Sequence, residues 1–184
     1  MKHSARFAAA QLFSTGSYCA KARASLKSPD KLFRALTILF CLALSLTPTL
    51  AEAEPICFLG VLKLTDSGHA EAQNYVIKTE TEWQSLWEKI FSNTSEKLPL
   101  PKIDFTRRTI VAVFQGAQPS NGYEISIEEI VETETSLEVV IKAFAPWKRC
   151  VLTGIVTKPF DIVEIEKTEK EVLFHVKHKI RNCG

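Results

Sequence analysis

Hydrophobic and polar positions change period several times along the chain, and each change marks an element. Residues 58–64 (FLGVLKL) form a short apolar run bounded by Asp66-Ser67-Gly68, which predicts a strand. Residues 74–78 (NYVIK) predict a second strand, paired with the first across that turn. From 79 to 91 the period lengthens: Trp83, Leu86, Trp87 and Ile90 recur at helical spacing and share one face. Thr79 with Glu82, or Thr81 with Gln84, supplies a capping box for the free N–H groups of the first turn. The two tryptophans could be read as a ligand platform, but helical spacing assigns them to the core. Residues 98–101 (LPLP) are extended, because each proline biases its predecessor away from helix.

The remainder reads as strand and turn. Residues 109–115 (TIVAVFQ) are apolar almost throughout, as in a strand buried on both faces. Residues 123–127 alternate, with Tyr123, Ile125 and Ile127 on one face, and residues 136–144, 160–165 and 171–177 complete the set. Short turns between strands favour antiparallel pairing. The expected fold class is α+β: a small, mainly antiparallel twisted sheet or sandwich with one covering helix.

A different pattern precedes this. Lys31 and Arg34 introduce the uncharged apolar run 35–46 (ALTILFCLALSL), followed by Pro48 and two small-residue cleavage patterns ending at Ala51 and Ala53. That order is a signal peptide over residues 31–53, cut after Ala53 or, alternatively, after Ala51. The run is short for a membrane span, which needs about 20 residues. Membrane contact is therefore expected only through this segment if it stays uncleaved. Residues 1–30 are basic and rich in Ser and Ala. They read as a non-native or disordered extension upstream of the true start, or as an organellar transit segment. The division is thus 1–30, 31–53 and a β-rich domain at 54–184, with a periplasmic or secreted location.

Removing the leader changes the charge and the cysteine count. Residues 1–53 hold seven of the 23 basic residues and two of the 21 acids, so residues 54–184 carry a net charge of −3. A mildly acidic domain gives no reason to expect nucleic acid as a partner. Three cysteines remain: Cys57, Cys150 and Cys183. One disulfide is expected in an oxidising compartment. Cys57–Cys183 would staple the termini, and Cys150–Cys183 is the alternative.

Catalytic chemistry finds little to work with. His175 and His178 lie three apart on a strand and point to opposite faces, which fails for chelation, and three scattered cysteines make a poor zinc set. A nucleophile needs a histidine and an orienting acid within reach, and no phosphate-binding glycine motif occurs. Glu124, Glu128, Glu132 and Glu134 sit where a solvated strand face and turn would put them. The expectation is a non-enzyme with no cofactor and no metal.

Two loops stand out instead. In 116–123 (GAQPSNGY), Pro119 fixes a turn corner while Asn121 and Gly122 tolerate left-handed backbone. Such a stiff loop loses little entropy on binding. In 145–150 (APWKRC), Trp147 and Arg149 are the residue types richest in interface hot spots. The candidate partner-binding residues are Gln118, Pro119, Ser120, Asn121, Gly122, Tyr123, Trp147 and Arg149. The bland readings are a rigid hairpin with Tyr123 in the core, Trp147 capping the core, and Arg149 in solvent.

Three features make the chain resemble the PrcB family from about Cys57 to Lys177. They are the helix segment 82–87 (EWQSLW), residues 103–105 (IDF) leading into 111–127 (VAVFQGAQPSNGYEISI), and the late strand 158–165 (KPFDIVEI). That resemblance implies an exported, non-catalytic α+β domain, a subunit or accessory protein of an extracellular protease complex. The expected partner is an extracytoplasmic protease or an envelope protein. Residues 119–123 are also similar to the N-P-T-T-G-Y loop of chagasin-type cysteine-protease inhibitors, and 145–147 to their R-P-W loop. Asn121 and Ala145 depart from those patterns, and the helix has no counterpart there. A direct inhibitor, or an envelope ligand-binding or structural module, are the alternatives.

Overall fold

The computed structural model describes residues 17–18, 53–95 and 97–183. The expectations for residues 1–52, the leader included, lie outside the described residues apart from a two-residue strand. The elements in chain order are β1 (Ser17–Tyr18), β2 (Glu54–Pro55), β3 (Phe58–Leu64), β4 (Gln73–Ile77), α1 (Glu80–Ile90) and β5 (Arg108–Phe114). Then come β6 (Glu124–Glu132), β7 (Ser136–Pro146), β8 (Phe160–Glu166) and β9 (Glu171–Arg181). They form an α+β sandwich. One sheet has the order β1-β3-β8-β5-β4 and the other β2-β6-β7-β9.

The inner strands β5 and β8 are buried along most of their length; β5 is apolar almost throughout, as burial on both faces requires, whereas β8 also carries Asp161, Glu164 and Glu166. Alternate residues of each serve different layers. Ile110, Ala112, Phe114, Phe160 and Ile162 meet Trp83, Leu86, Trp87 and Ile90 of α1. Val111, Val113, Val163 and Ile165 meet Ile125, Ile127, Ile130, Leu137, Val139 and Ile141 of the second sheet. The helix begins at Thr79, whose side chain accepts from the Glu82 N–H while Glu82 accepts from the Thr79 N–H. Its tryptophans are anchored as well as buried. Trp83 Nε1 donates to the Pro101 carbonyl (3.0 Å) and Trp87 Nε1 to that of Leu98 (3.0 Å), so the extended 98–101 segment supplies their acceptors.

One expected pairing is corrected. β3 and β4 do not form a hairpin; they flank β8 and β5 on opposite sides. The reason lies in the connection 65–72, which is tied down along its length. The Gly68 N–H donates to the Ile90 carbonyl at the end of α1 (2.8 Å) and the Ala70 carbonyl accepts from Ala117 (2.8 Å). The pairing is otherwise mainly antiparallel, as expected, with one parallel pair. After β7 the chain crosses to the first sheet as β8 and returns as β9, which therefore runs parallel to β7, from Ser136 opposite Glu171 to Pro146 opposite Arg181.

That parallel pairing decides the disulfide. With Arg181 opposite Pro146, Cys183 arrives beside Cys150, their Cα atoms 5.7 Å apart, and the two are bonded. The favoured Cys57–Cys183 staple is therefore wrong, and Cys57 takes no part in this bridge.

Candidate functional site

The two loops singled out above come together at one end of the sandwich. The β5–β6 connection starts at Gly116, whose φ of 75° belongs to glycine and whose added Cβ would lie 2.7 Å from the Ala72 amide. Gln118 and Thr157 then exchange two backbone hydrogen bonds, N–H to carbonyl at 2.7 and 3.1 Å. Thr157 Oγ1 donates to the Ser120 carbonyl (2.9 Å), and Asn121 Oδ1 accepts from the Thr153 N–H (2.9 Å). Gly122 (φ 90°) lies against Pro146 and Leu152. The β5–β6 loop is thus zipped along the β7–β8 loop, and the Cys150–Cys183 bond fixes the latter to the end of β9.

Each nominated residue has a definite place. Pro119, Asn121 and Gly122 are exposed, while Gln118, Ser120 and Tyr123 are half-buried. Gln118 also donates from Nε2 to the Gln115 carbonyl (3.0 Å). Trp147 keeps 36% of its surface exposed, with the Arg149 guanidinium 5.1 Å from its ring centroid. Sequence reasoning passed over residues 151–156 (VLTGIV), which carry the most exposed apolar side chains in this loop. Val151 is fully exposed, Ile155 and Val156 are 66% and 57% exposed, and Leu152 lies beside them in the chain. The available signal was an aliphatic run broken by Gly154, flanked by Lys148, Arg149 and Lys158, in a stretch without acids from 139 to 160.

A second feature lies where the sheets meet. A groove of about 590 Å³ is lined by β3, β6, β7, β8 and Arg181. Its ionisable side chains are partnered. Lys63 and Arg181 both pair with Glu124, and Lys142 pairs with Glu128. Arg181 also lies over the Phe144 ring, 4.2 Å from its centroid. The buried Asp161 accepts from the Ile127 N–H at 2.9 Å. Burial pushes the Asp161 carboxyl up to about 6, against the lowering effect of the Ile127 hydrogen bond and of Lys63. Burial acts in the same direction on Glu124, but the hydrogen bonds from Lys63 and Arg181 outweigh it and hold Glu124 below its ordinary range. Glu124, Glu128 and Glu132, expected on a solvated face, are in ion pairs, Glu132 with Lys170. The groove is an ionic seam that ties the end of β9 to β6 and to the first sheet.

His69 is a structural counterpart on the helix side. Its ring stacks on Phe114 (centroids 3.9 Å apart), and Nε2 lies 3.1 Å from the Tyr75 hydroxyl. Burial, reinforced by Lys89, lowers it to about 4. His175 and His178 face opposite sides of β9, opposite Val140 and Ala143, as the strand period requires. Among the described residues no group of three His, Cys, Asp or Glu side chains is placed to hold a metal ion.

The span that contains both loops and both central strands is also the span that a family model matches. Residues 109–166 match the PrcB C-terminal family model. The PrcB C-terminal match runs from β5 through β8, taking in the 116–123 turn, the exposed 151–156 tip and Asp161. The helix segment 82–87, which also suggested the family, lies outside it. No curated protein and no solved structure matches the chain.

Proposed function

We propose that this is an exported, non-catalytic accessory domain that binds a protein of an extracytoplasmic protease complex through the zipped loop surface. The observation that carries the reading is the junction of 117–123 with 147–157. Hydrogen bonds between Gln118, Ser120 and Asn121 and Thr153 and Thr157 of the opposite loop tie down the loop on which Trp147, Arg149, Val151, Leu152, Ile155 and Val156 are exposed. A surface held in advance loses little conformational freedom on association, and its apolar area is available to be buried. The PrcB C-terminal match supports the protease context, because the resemblance associates that family with such complexes.

The adjacency of the 119–123 and 145–147 loops also favours a second reading, direct inhibition, since a wedge needs both loops on one edge. The first test is crosslinking of the tagged full chain in its own host, followed by identification of what co-purifies. A protease recovered with wild type and lost with Trp147→Ala or Ile155→Asp, both still folded, is the expected result. Recovery alone or only with envelope components sinks the protease reading and leaves an envelope module. Inhibition of the recovered protease by the pure protein would select the second reading over the first.

A further inference from the structure

The C-terminal strand β9 is 11 residues long and pairs with β7 along one edge only; it ends the order of its sheet. Edge strands are usually blunted by proline, a bulge, shortness or exposed lysines. The opposite edge strand of this sheet, β2, is two residues long and contains Pro55. β9 has no proline, and its register with β7 is unbroken from end to end. Among the described residues nothing pairs with its other edge, which therefore presents a long row of backbone groups guarded only by the charges of Lys177 and Lys179.

The two faces of β9 differ in chemistry. Val172 and Phe174 are half-buried against the core between the sheets. Val176 and Ile180 continue that face by the two-residue period but project beyond the core, 45% and 72% exposed. On the other face lie exposed Lys177 and Lys179, in register with Lys142 and Phe144. No acid occurs from 172 to 183, although residues 54–184 as a whole are net acidic. A strand laid along this edge would place one set of side chains beside Val176 and Ile180 and the alternate set beside Lys177 and Lys179. A second copy of β9 fits poorly. Antiparallel self-pairing would crowd Lys177 and Lys179 of both copies into one strip, and like charges across a pair destabilise it.

We propose that the free edge of β9 docks an extended acidic segment of a protein partner, one with alternating apolar and acidic residues, by strand addition. This does not depend on the loop surface or on the partner being a protease.

The test uses the full chain and a fluorescein-labelled peptide of alternating valine and glutamate, about ten residues long to match the strand. Binding is read by fluorescence anisotropy at low salt. The glutamate peptide is expected to bind and a valine–lysine peptide to fail. N-methylation at every valine or, separately, at every glutamate is expected to weaken binding at least about tenfold in one of the two cases, because one set of amides must face β9. The Lys177→Glu/Lys179→Glu variant is expected to lose the glutamate peptide and gain the lysine peptide. Ile155→Asp, which disables the loop surface, is expected to leave peptide binding unchanged, so the two proposals fail separately. Absence of binding by the glutamate peptide, full binding by both methylated forms, or indifference to the double charge reversal would each overturn the proposal.

Discussion

His69 and Asp161 should hide each other's effect on stability, and removing either should expose the other. Burial lowers His69 from 6.5 to about 4 and raises Asp161 from 3.8 to about 6. At roughly 1.4 kcal/mol per unit, each shift corresponds to about 3 kcal/mol of folding free energy. The signs are opposite. Unfolded His69 takes up a proton below about pH 6.5 that the folded form refuses, so its contribution is lost as pH falls from there towards 4. Folded Asp161 keeps a proton that the unfolded form releases near pH 4. Its contribution is present below that value and lost as pH rises through about 6. Around pH 5 the two slopes are each about 1.4 kcal/mol per pH unit and nearly cancel. Glu82, Glu124 and Glu169, held below their ordinary 4.5, and Asp104, held below 3.8, add an upward slope with pH that grows only as the unfolded carboxylates protonate towards those values, so the window that isolates His69 and Asp161 is pH 5 to 6. Urea unfolding followed by tryptophan fluorescence across that window is expected to give a flat profile for wild type. Stability should rise with pH in Asp161→Asn, fall with pH in His69→Phe, and be flat again in the double variant. A flat profile in both single variants, or slopes of the same sign, would refute the assignment of opposed buried groups.

Three further changes have definite expected outcomes. Gly122→Val forces a β-branched residue to φ 90° with its Cβ 3.2 Å from Pro146 and Leu152, so a loss of about 2–3 kcal/mol is expected in chemical denaturation. Unchanged stability would remove the left-handed turn from the account. The Cys150→Ser/Cys183→Ser pair opens a loop whose ends are 33 residues apart, an expected cost of about 3.7 kcal/mol by chain entropy. Amide exchange should quicken from 147 to 159 before the rest of the molecule responds. Trp83→Ala removes a side chain with no exposed surface and strands the Pro101 carbonyl, for an expected loss of about 3–5 kcal/mol by thermal or urea melts.

Elements were far easier to read from the sequence than their neighbours. The strands β3, β5, β7 and β8 and the helix carry strong periodicities, and the capping box at Thr79 and Glu82 marks the helix start within a residue. Pairing depends on where connections are pinned, and that information is tertiary. Nothing local in 65–72 says that Gly68 will bond to the end of α1, yet that contact belongs to the path that carries β4 away from β3. The same holds for Cys183, whose partner depends on a parallel strand pair that local turn rules do not anticipate. The 116–123 turn was legible because Pro, Asn and Gly demand particular backbone angles. The aliphatic tip at 151–156 was not, because a short apolar run reads as a strand or core piece until its exposure is known.

Charge makes the same point about what averages conceal. A net of −3 over residues 54–184 gave no reason to expect nucleic acid, whose binding needs a basic face. That figure treats the charges as evenly spread, and the fold does not spread them. β7 and β9 run in parallel, and Cys150–Cys183 closes their ends, so two acid-free stretches, 139–160 and 172–183, are brought side by side. Lys148 and Arg149 flank exposed Trp147 and Val151 beyond the end of β7, Lys177 and Lys179 line the outer face of β9 in register with Lys142 and Phe144, and Glu124 holds Arg181 in the seam. Attraction between exposed charges reaches only about 10 Å at moderate salt. A partner approaching these stretches therefore meets a basic and apolar surface, whatever the sum over the chain. For recognition, the local charge set by strand topology outweighs the composition.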